Sequence, residues 1–72
     1  MNTMHIMGRE GDKQVAWNPE VDTEVEYARN IFEELLAGNY RAYSVGEEKT
    51  LVVDVFDPTI PKLVMVPQMQ GG

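Results

Sequence analysis

An amphipathic stripe between Asn18 and Gly38 constrains the fold of this 72-residue chain more than any other feature. Its apolar residues recur at alternating intervals of four and three, which places them on one side of an α-helix. The stripe consists of Val21, Val25, Ala28, Phe32 and Leu35, and Ile31 and Leu36 widen it. Asn18, or Asp22 with Thr23, could cap its N-terminus, and Gly38-Asn39 supplies a left-handed stop. The sequence therefore predicts one long helix with a buried face.

Short apolar segments bounded by glycine, proline and polar residues lie on both sides of this helix. Two precede it, at residues 4–7 and 14–17, and the glycines at positions 8 and 11 between them suit a hairpin loop. Three follow it, at residues 41–45, 50–56 and 62–66. Residues 50–56 are rich in β-branched side chains and predict the strongest strand. Pro58 and Pro61 break the chain after it, and Pro67 ends the last strand, because proline cannot donate to a sheet ladder.

This element order predicts a small α+β domain: a hairpin, one helix packed across a mixed sheet, then two or three strands. It is the connectivity of the β-grasp architecture. A chain of 72 residues can bury only one thin core, so we expect a single domain over residues 1–67. Residues 68–72 are expected to form a flexible tail that ends in Gly71 and Gly72.

The helical stripe also predicts the core. Val25, Phe32 and Leu35 are expected to pack against one face of the segment 50–56. That face carries either Val53 and Val55 or Val52 and Phe56. Trp17, the only tryptophan, lies where the hairpin meets the helix and is expected to cap the core.

Composition excludes several classes of function. The net charge is −6 and the six Lys and Arg residues are scattered, which argues against nucleic-acid binding, because phosphate contacts draw on clustered cations. The chain has no cysteine and therefore no disulfide, thiolate metal site or cysteine nucleophile. No apolar run approaches the roughly 18 residues of a membrane span, and no secretory signal is present. We therefore expect a cytoplasmic protein with no membrane partner.

Neither an enzyme active site nor a metal site is evident. His5 is the sole histidine and has no adjacent acid or nucleophile in the sequence, so an ordinary strand histidine is the better interpretation. The carboxylates of the helix lack the alternating pattern of a calcium loop and are expected to form a solvated face. We expect a protein that is not an enzyme and that binds no metal or cofactor itself.

The chain closes with two glycines, Gly71 and Gly72, after an apolar segment and Pro67. A carboxylate on residues without side chains can enter a narrow active site of another enzyme. The stretch from residue 62 to residue 72 resembles the end of the small subunit of molybdopterin synthase. The thiamine-pathway sulfur carrier and ubiquitin end similarly, and all of these proteins share the β-grasp fold.

This resemblance implies a sulfur carrier or a ubiquitin-like modifier. Gly72 would be the residue that is adenylated and then loaded as a thiocarboxylate or conjugated to a target, with Gly71 as its slender neighbour. The arm that leads into the partner's active site would be formed by Pro67, Gln68, Met69 and Gln70. The implied partners are an E1-like adenylating enzyme that uses ATP and magnesium, and target proteins or a synthase large subunit.

A different class of function stays open: a small acidic interaction or inhibitor module with no C-terminal chemistry. Such a module could use the acidic face of the helix against a basic partner. Alternatively, it could use an apolar surface around Met65, Met69, Trp17 and Tyr43, since methionine side chains adapt to partner surfaces.

Overall fold

The computed structural model describes residues 1–8 and 11–68 of the chain. Its element order is strand, strand, helix, strand, strand, strand, as the sequence predicts. The elements are β1 (Asn2–Ile6), β2 (Lys13–Trp17), α1 (Asp22–Ala37), β3 (Tyr40–Val45), β4 (Thr50–Val53) and β5 (Lys62–Pro67).

The strands form one mixed five-stranded sheet in the order β2-β1-β5-β3-β4. β1 runs antiparallel to β2 and parallel to β5, so that Met4 lies opposite both Val15 and Leu63. β3 runs antiparallel to β5 and to β4, and Ala42 lies opposite Met65. The last strand of the sequence therefore occupies the centre of the sheet, between two hairpins. With one helix against one face, this is the expected small β-grasp-like α+β fold.

The core lies between α1 and one face of the sheet. The helical stripe contributes Val25, Ala28 and Phe32, which are buried as predicted, whereas Leu35 is only partly buried. Side chains alternate between the two faces of a strand, so every second residue of the sheet points at the helix. The buried residues of the strands are Met4, Trp17, Ala42, Leu63 and Met65.

The connection between β4 and β5 closes one end of this core. The ring of Phe56 lies buried, with its centroid 5.3 Å from that of Trp17 and 5.4 Å from that of Phe32. The carbonyl oxygen of Pro58 accepts hydrogen bonds from Nδ2 of Asn2 at 2.7 Å and from Nε1 of Trp17 at 3.0 Å. Trp17 therefore caps the core, as predicted, and also ties the connection to the first hairpin.

The prediction of one strand over residues 50–56 is wrong. β4 ends at Val53, the chain bends at Asp54 and Val55, and Val55 is 77% exposed. Phe56 therefore joins the buried core and Val53 packs against it in part, a combination that neither predicted strand face contains. Burying a phenylalanine side chain contributes about 1.5–3 kcal/mol, whereas strand propensities span only about 1 kcal/mol. The free energy gained by burying Phe56 therefore exceeds the free energy that continuing the edge strand would contribute.

The predicted N-terminal cap of the helix is also wrong. The N-cap residue is Val21, and no side chain caps it. Asn18 instead accepts a hydrogen bond from the backbone N–H of Glu20, and its own N–H donates to the carboxylate of Glu24, both at 2.9 Å. Its side chain is therefore engaged in the turn before the helix.

The C-terminal stop of the helix agrees with the prediction. The backbone N–H of Gly38 donates to the carbonyl groups of Glu34 and Leu35, both at 3.0 Å. Asn39 adopts the left-handed conformation with φ of 72°, whereas Gly38 has φ of −92°. Asparagine tolerates this region better than most residues with side chains. The left-handed residue that ends α1 is therefore Asn39.

Candidate functional site

The carboxyl end of β5 carries the first of the predicted site residues. Pro67 is the last residue of β5, lies opposite Tyr40 and is exposed. The next residue, Gln68, is half-buried, and its backbone N–H donates to the carbonyl oxygen of Asn39 at 2.9 Å. Nδ2 of Asn39 in turn donates to the carbonyl oxygen of Gln68 at 3.1 Å. Backbone pairing between the end of β5 and the residues at the start of β3 thus continues to Gln68, one residue beyond the predicted end of the domain.

The remaining predicted site residues, Met69, Gln70, Gly71 and Gly72, lie outside the described residues. The residue that precedes them, Gln68, is held by Asn39 in the turn between α1 and β3. The side chain of Gln68 also donates to the carbonyl oxygen of Val66 at 3.3 Å. The base of the predicted arm is therefore bonded to the α1–β3 turn through its backbone and to its own strand, β5, through its side chain.

An open groove lies beside this end of β5. It separates the β1–β2 hairpin from the C-terminal half of α1, and Val15, Ile31 and Leu35 form its apolar walls. Tyr40 and Pro67 line the end of the groove from which the chain continues to Gln68. The partly buried state of Leu35 follows from this groove, because no described residue fills the space beside it. A partner that reaches the C-terminal residues from this side would contact the groove walls.

The sheet face opposite α1 forms a second candidate surface. Because side chains alternate along each strand and strands are in register, five residues form a row across the sheet. In sheet order these are Gln14, His5, Val64, Tyr43 and Val52. We call this surface the open face. Sequence reasoning could not find it, since its residues come from five different strands and form no local motif.

Charge is distributed unevenly between this sheet and the rest of the molecule. None of the acidic residues that the structure describes lies in a strand, whereas α1 contains five, Asp22, Glu24, Glu26, Glu33 and Glu34. The open face carries the cations Arg41 and Lys62. In α1, Arg29 pairs with Glu26 at 2.7 Å, and its guanidinium carbon lies 5.8 Å from the centroid of the Phe56 ring. The helix side is thus acidic, and the open face is cationic and apolar.

The apolar surface proposed from sequence for an interaction module does not form. Met65 and Trp17 are both fully buried in the core, because each lies on the strand face that points at the helix. Tyr43 lies on the open face and is half-buried. Met69 lies outside the described residues. Tyr43 is therefore the one described member of that set with exposed surface.

His5 lies on the open face of β1, half-buried and opposite Gln14 and Val64, so it has no acidic neighbour across either strand pair. Over residues 1–8 and 11–68, no three His, Asp or Glu side chains are grouped closely enough to hold a metal ion. Within the same residues, α1 is too short and too polar to span a membrane.

Comparison with known proteins does not assign a family. No protein-family model matches the chain, and neither a curated protein nor a solved structure matches it. The fold and the surfaces described above therefore provide the evidence on function.

Proposed function

We propose that this protein is a carrier or modifier whose Gly72 carboxylate is activated by a separate adenylating enzyme. The observation that carries the proposal is the position of β5. This strand lies at the centre of the sheet and ends at Pro67, after which the sequence continues through Gln68, Met69 and Gln70 to Gly71 and Gly72. A β-grasp-like domain with such an extension would present a reactive terminus while its core stays intact.

The chemistry requires a partner because a carboxylate is a poor electrophile at neutral pH. An oxygen of the Gly72 carboxylate would attack the α-phosphate of ATP bound with magnesium in the partner, and pyrophosphate would leave. A sulfide ion or a cysteine thiolate would then attack the acyl carbon and displace AMP. The product would be a thiocarboxylate or a thioester, and an amine of a target could displace the thioester sulfur to form an amide. This chain would supply the carboxylate and no catalytic group.

The residues at the carboxyl end of β5, where the C-terminal segment begins, support this role in two ways. Gln68 is bonded to Asn39 through two hydrogen bonds, so the segment would extend from a fixed base. A fixed base limits the conformational entropy that is lost when the terminal residues enter an active site. The groove beside Pro67, with Val15, Ile31 and Leu35 in its walls, offers the adenylating enzyme an apolar contact next to that base.

The proposal can be tested by intact mass spectrometry after incubation with candidate adenylating enzymes from the source organism, ATP, magnesium and a sulfide donor. The full chain should gain the mass that corresponds to exchange of one oxygen for sulfur, or should form a conjugate. A variant that lacks Gly72 and a variant with one alanine appended after Gly72 should form neither product. Conversion of the appended variant would contradict the proposal, because its terminal carboxylate is not that of Gly72.

A second candidate function, an interaction module without C-terminal chemistry, is favoured by the open face. The apolar centre at Val64 and Tyr43, flanked by Arg41 and Lys62, would complement an apolar partner surface that is rimmed with carboxylates. The acidic outer face of α1 offers a basic partner a separate contact.

Affinity capture from source lysate separates these two candidates. The baits are the full chain, the chain truncated after Gln68, an Arg41→Glu/Lys62→Glu variant and a Glu26→Lys/Glu33→Lys variant. The carrier function predicts that only truncation removes an adenylating enzyme from the captured proteins. The module predicts that truncation has no effect and that one of the charge reversals removes the partner.

A further inference from the structure

We propose that the outer edge of β4 binds an extended peptide that carries an apolar centre and Lys or Arg at both ends. The peptide would add a sixth strand to the sheet beside β4. This inference does not depend on the C-terminal chemistry proposed above, because β4 and the end of β5 are separated by β3.

The first observation is apolar exposure concentrated at one edge. Leu51 is 60% exposed and Val52 is 54% exposed, and they point to opposite faces of β4. Val55, the second residue after the strand, is exposed as well. An exposed apolar edge strand is a pairing hazard that proteins usually avoid with charge or cover. Because β4 keeps such an exposed apolar edge, we infer that a partner covers it.

The second observation is the direction of the backbone groups. The N–H of Gly46 donates to the carbonyl oxygen of Lys49 at 2.8 Å, which makes these two residues a hydrogen-bonded pair at the hairpin end. Bonded and non-bonded pairs alternate along an antiparallel ladder, so Leu51 and Val53 direct their N–H and C=O groups at β3. Thr50 and Val52 therefore direct theirs outward, where an added strand could bond them.

The third observation is that the helix leaves β4 uncovered. α1 packs against β2 and β3, so it does not extend over the outer strand, and Leu51 stays exposed on the helix side of the sheet. An added strand could therefore place side chains on both faces, over Leu51 on one side and over Val52 on the other. The opposite edge differs, since the exposed residues of β2 are Lys13, Gln14 and Ala16, none of which is a large apolar residue.

The charged residues at the two ends of β4 indicate which kind of strand could bind at its edge. Glu47 and Glu48 precede β4, Asp54 follows it, and Lys49 is the single cation in this stretch. An antiparallel second copy would bring the start of one β4 beside the end of the other, so that Glu48 would lie near Asp54 twice in the pair. Like charges in such positions are destabilising, and each copy carries a net charge of −6. A peptide with Lys or Arg at its ends would instead place opposite charges at both ends of the strand.

The test uses the full chain and an acetylated, amidated peptide Lys-Val-Ile-Val-Lys as the probe. In a nitrogen-15 NMR titration at about 50 mM salt, the largest amide shifts should map to Thr50 and Val52 and their neighbours. Raising the salt concentration to about 500 mM should weaken binding severalfold, because exposed charges are then screened. The peptide Glu-Val-Ile-Val-Glu should bind at least tenfold more weakly.

Matched protein variants locate the site. Val52→Lys should weaken binding of the basic peptide at least tenfold, whereas Gln14→Lys, the same added charge on the other edge strand, should change it less than twofold. Val52→Pro removes an outward N–H without removing a bond to β3 and should also weaken binding. Shifts centred on His5, Val64 and Tyr43, in the middle of the open face, or on the groove would overturn the proposal. Equal binding of the acidic peptide would also overturn it, as would concentration-dependent pairing of β4 with a second copy.

Discussion

At the scale of single residues, the carbonyl oxygen of Pro58 holds the β4–β5 connection against the first hairpin. It accepts one hydrogen bond from the side chain of Asn2 and one from the indole of Trp17. A carbonyl oxygen has two lone pairs, so both donors can be satisfied at once. Loss of one donor leaves the oxygen bonded, but loss of both leaves a partly buried acceptor without a partner.

This arrangement predicts a coupling between Asn2 and Trp17. Asn2→Ala and Trp17→Phe should each lower the free energy of unfolding, and the double variant should lose about 1 kcal/mol more than the sum of the single losses. The excess arises because an unsatisfied buried acceptor costs about 1–3 kcal/mol, more than an ordinary hydrogen bond contributes. Urea titration of the four proteins gives the coupling energy directly. Strict additivity would show that the two donors act independently.

Asp57 supplies a second prediction at this scale. The hydroxyl of Thr59 donates to its carboxylate at 2.6 Å and the backbone N–H of Thr59 at 2.9 Å, and these bonds lower the pKa of Asp57 below its usual value. Since the unfolded chain lacks these bonds, their stabilisation is present above the unfolded pKa and is lost as the pH falls through the folded pKa.

Thr59→Val should therefore raise the pKa of Asp57 part of the way toward its usual value, because the backbone N–H still donates. Carbon-13 NMR of the side-chain carboxyl between pH 2 and pH 7 measures this pKa. The stability difference between wild type and variant should shrink as the solution is acidified. Thr50→Val, which removes the same hydroxyl elsewhere, should leave the pKa of Asp57 unchanged. An unchanged pKa in Thr59→Val would contradict the assignment.

At the scale of secondary-structure elements, the helix was predictable and the end of β4 was not. The spacing of Val25, Ala28 and Phe32 fixes both the helical period and the buried face, so local pattern and tertiary packing agree. The segment after β4 has strong strand propensity, but Phe56 gains more from the aromatic cluster than from an edge ladder. That cluster joins residues far apart in the sequence, so no local pattern reveals it.

Val55 and Phe56 give a direct test of this difference. Phe56→Ala should lower the free energy of unfolding by about 3–5 kcal/mol, as for other buried aromatic residues. Val55→Ala, one residue earlier but exposed, should change it by less than about 0.5 kcal/mol. Denaturant titration of both variants is sufficient. Comparable losses at both positions would favour the continuous strand that sequence alone predicts.

At the scale of the whole molecule, charge and topology act together. The acidic residues among the described ones lie in the helix and the connections, and the five strands contain only neutral and cationic side chains. Both the open face and the outer edge of β4 depend on the order of the strands. The open face requires the register of five strands, and β4 is an edge strand because no further strand pairs with it in the described chain. The end of β5 could be predicted from sequence, because Pro67 is a local signal, but the bonds between Gln68 and Asn39 could not. The surfaces around it could not, because they depend on which strands are neighbours.

The central position of β5 leads to the last prediction. Within the described part of the chain, β5 alone joins the β1–β2 hairpin to the β3–β4 hairpin, through parallel pairing with β1 and antiparallel pairing with β3. It also contributes Leu63 and Met65, both fully buried. A fragment that ends at residue 61 should therefore lack cooperative urea unfolding, because two separate hairpins and a helix cannot close the core. The matched fragment that ends at Gln68 keeps every described strand and the bonds to Asn39, and it should unfold within about 0.5 kcal/mol of the full chain. Cooperative unfolding of the shorter fragment would mean that the sheet does not depend on its central strand.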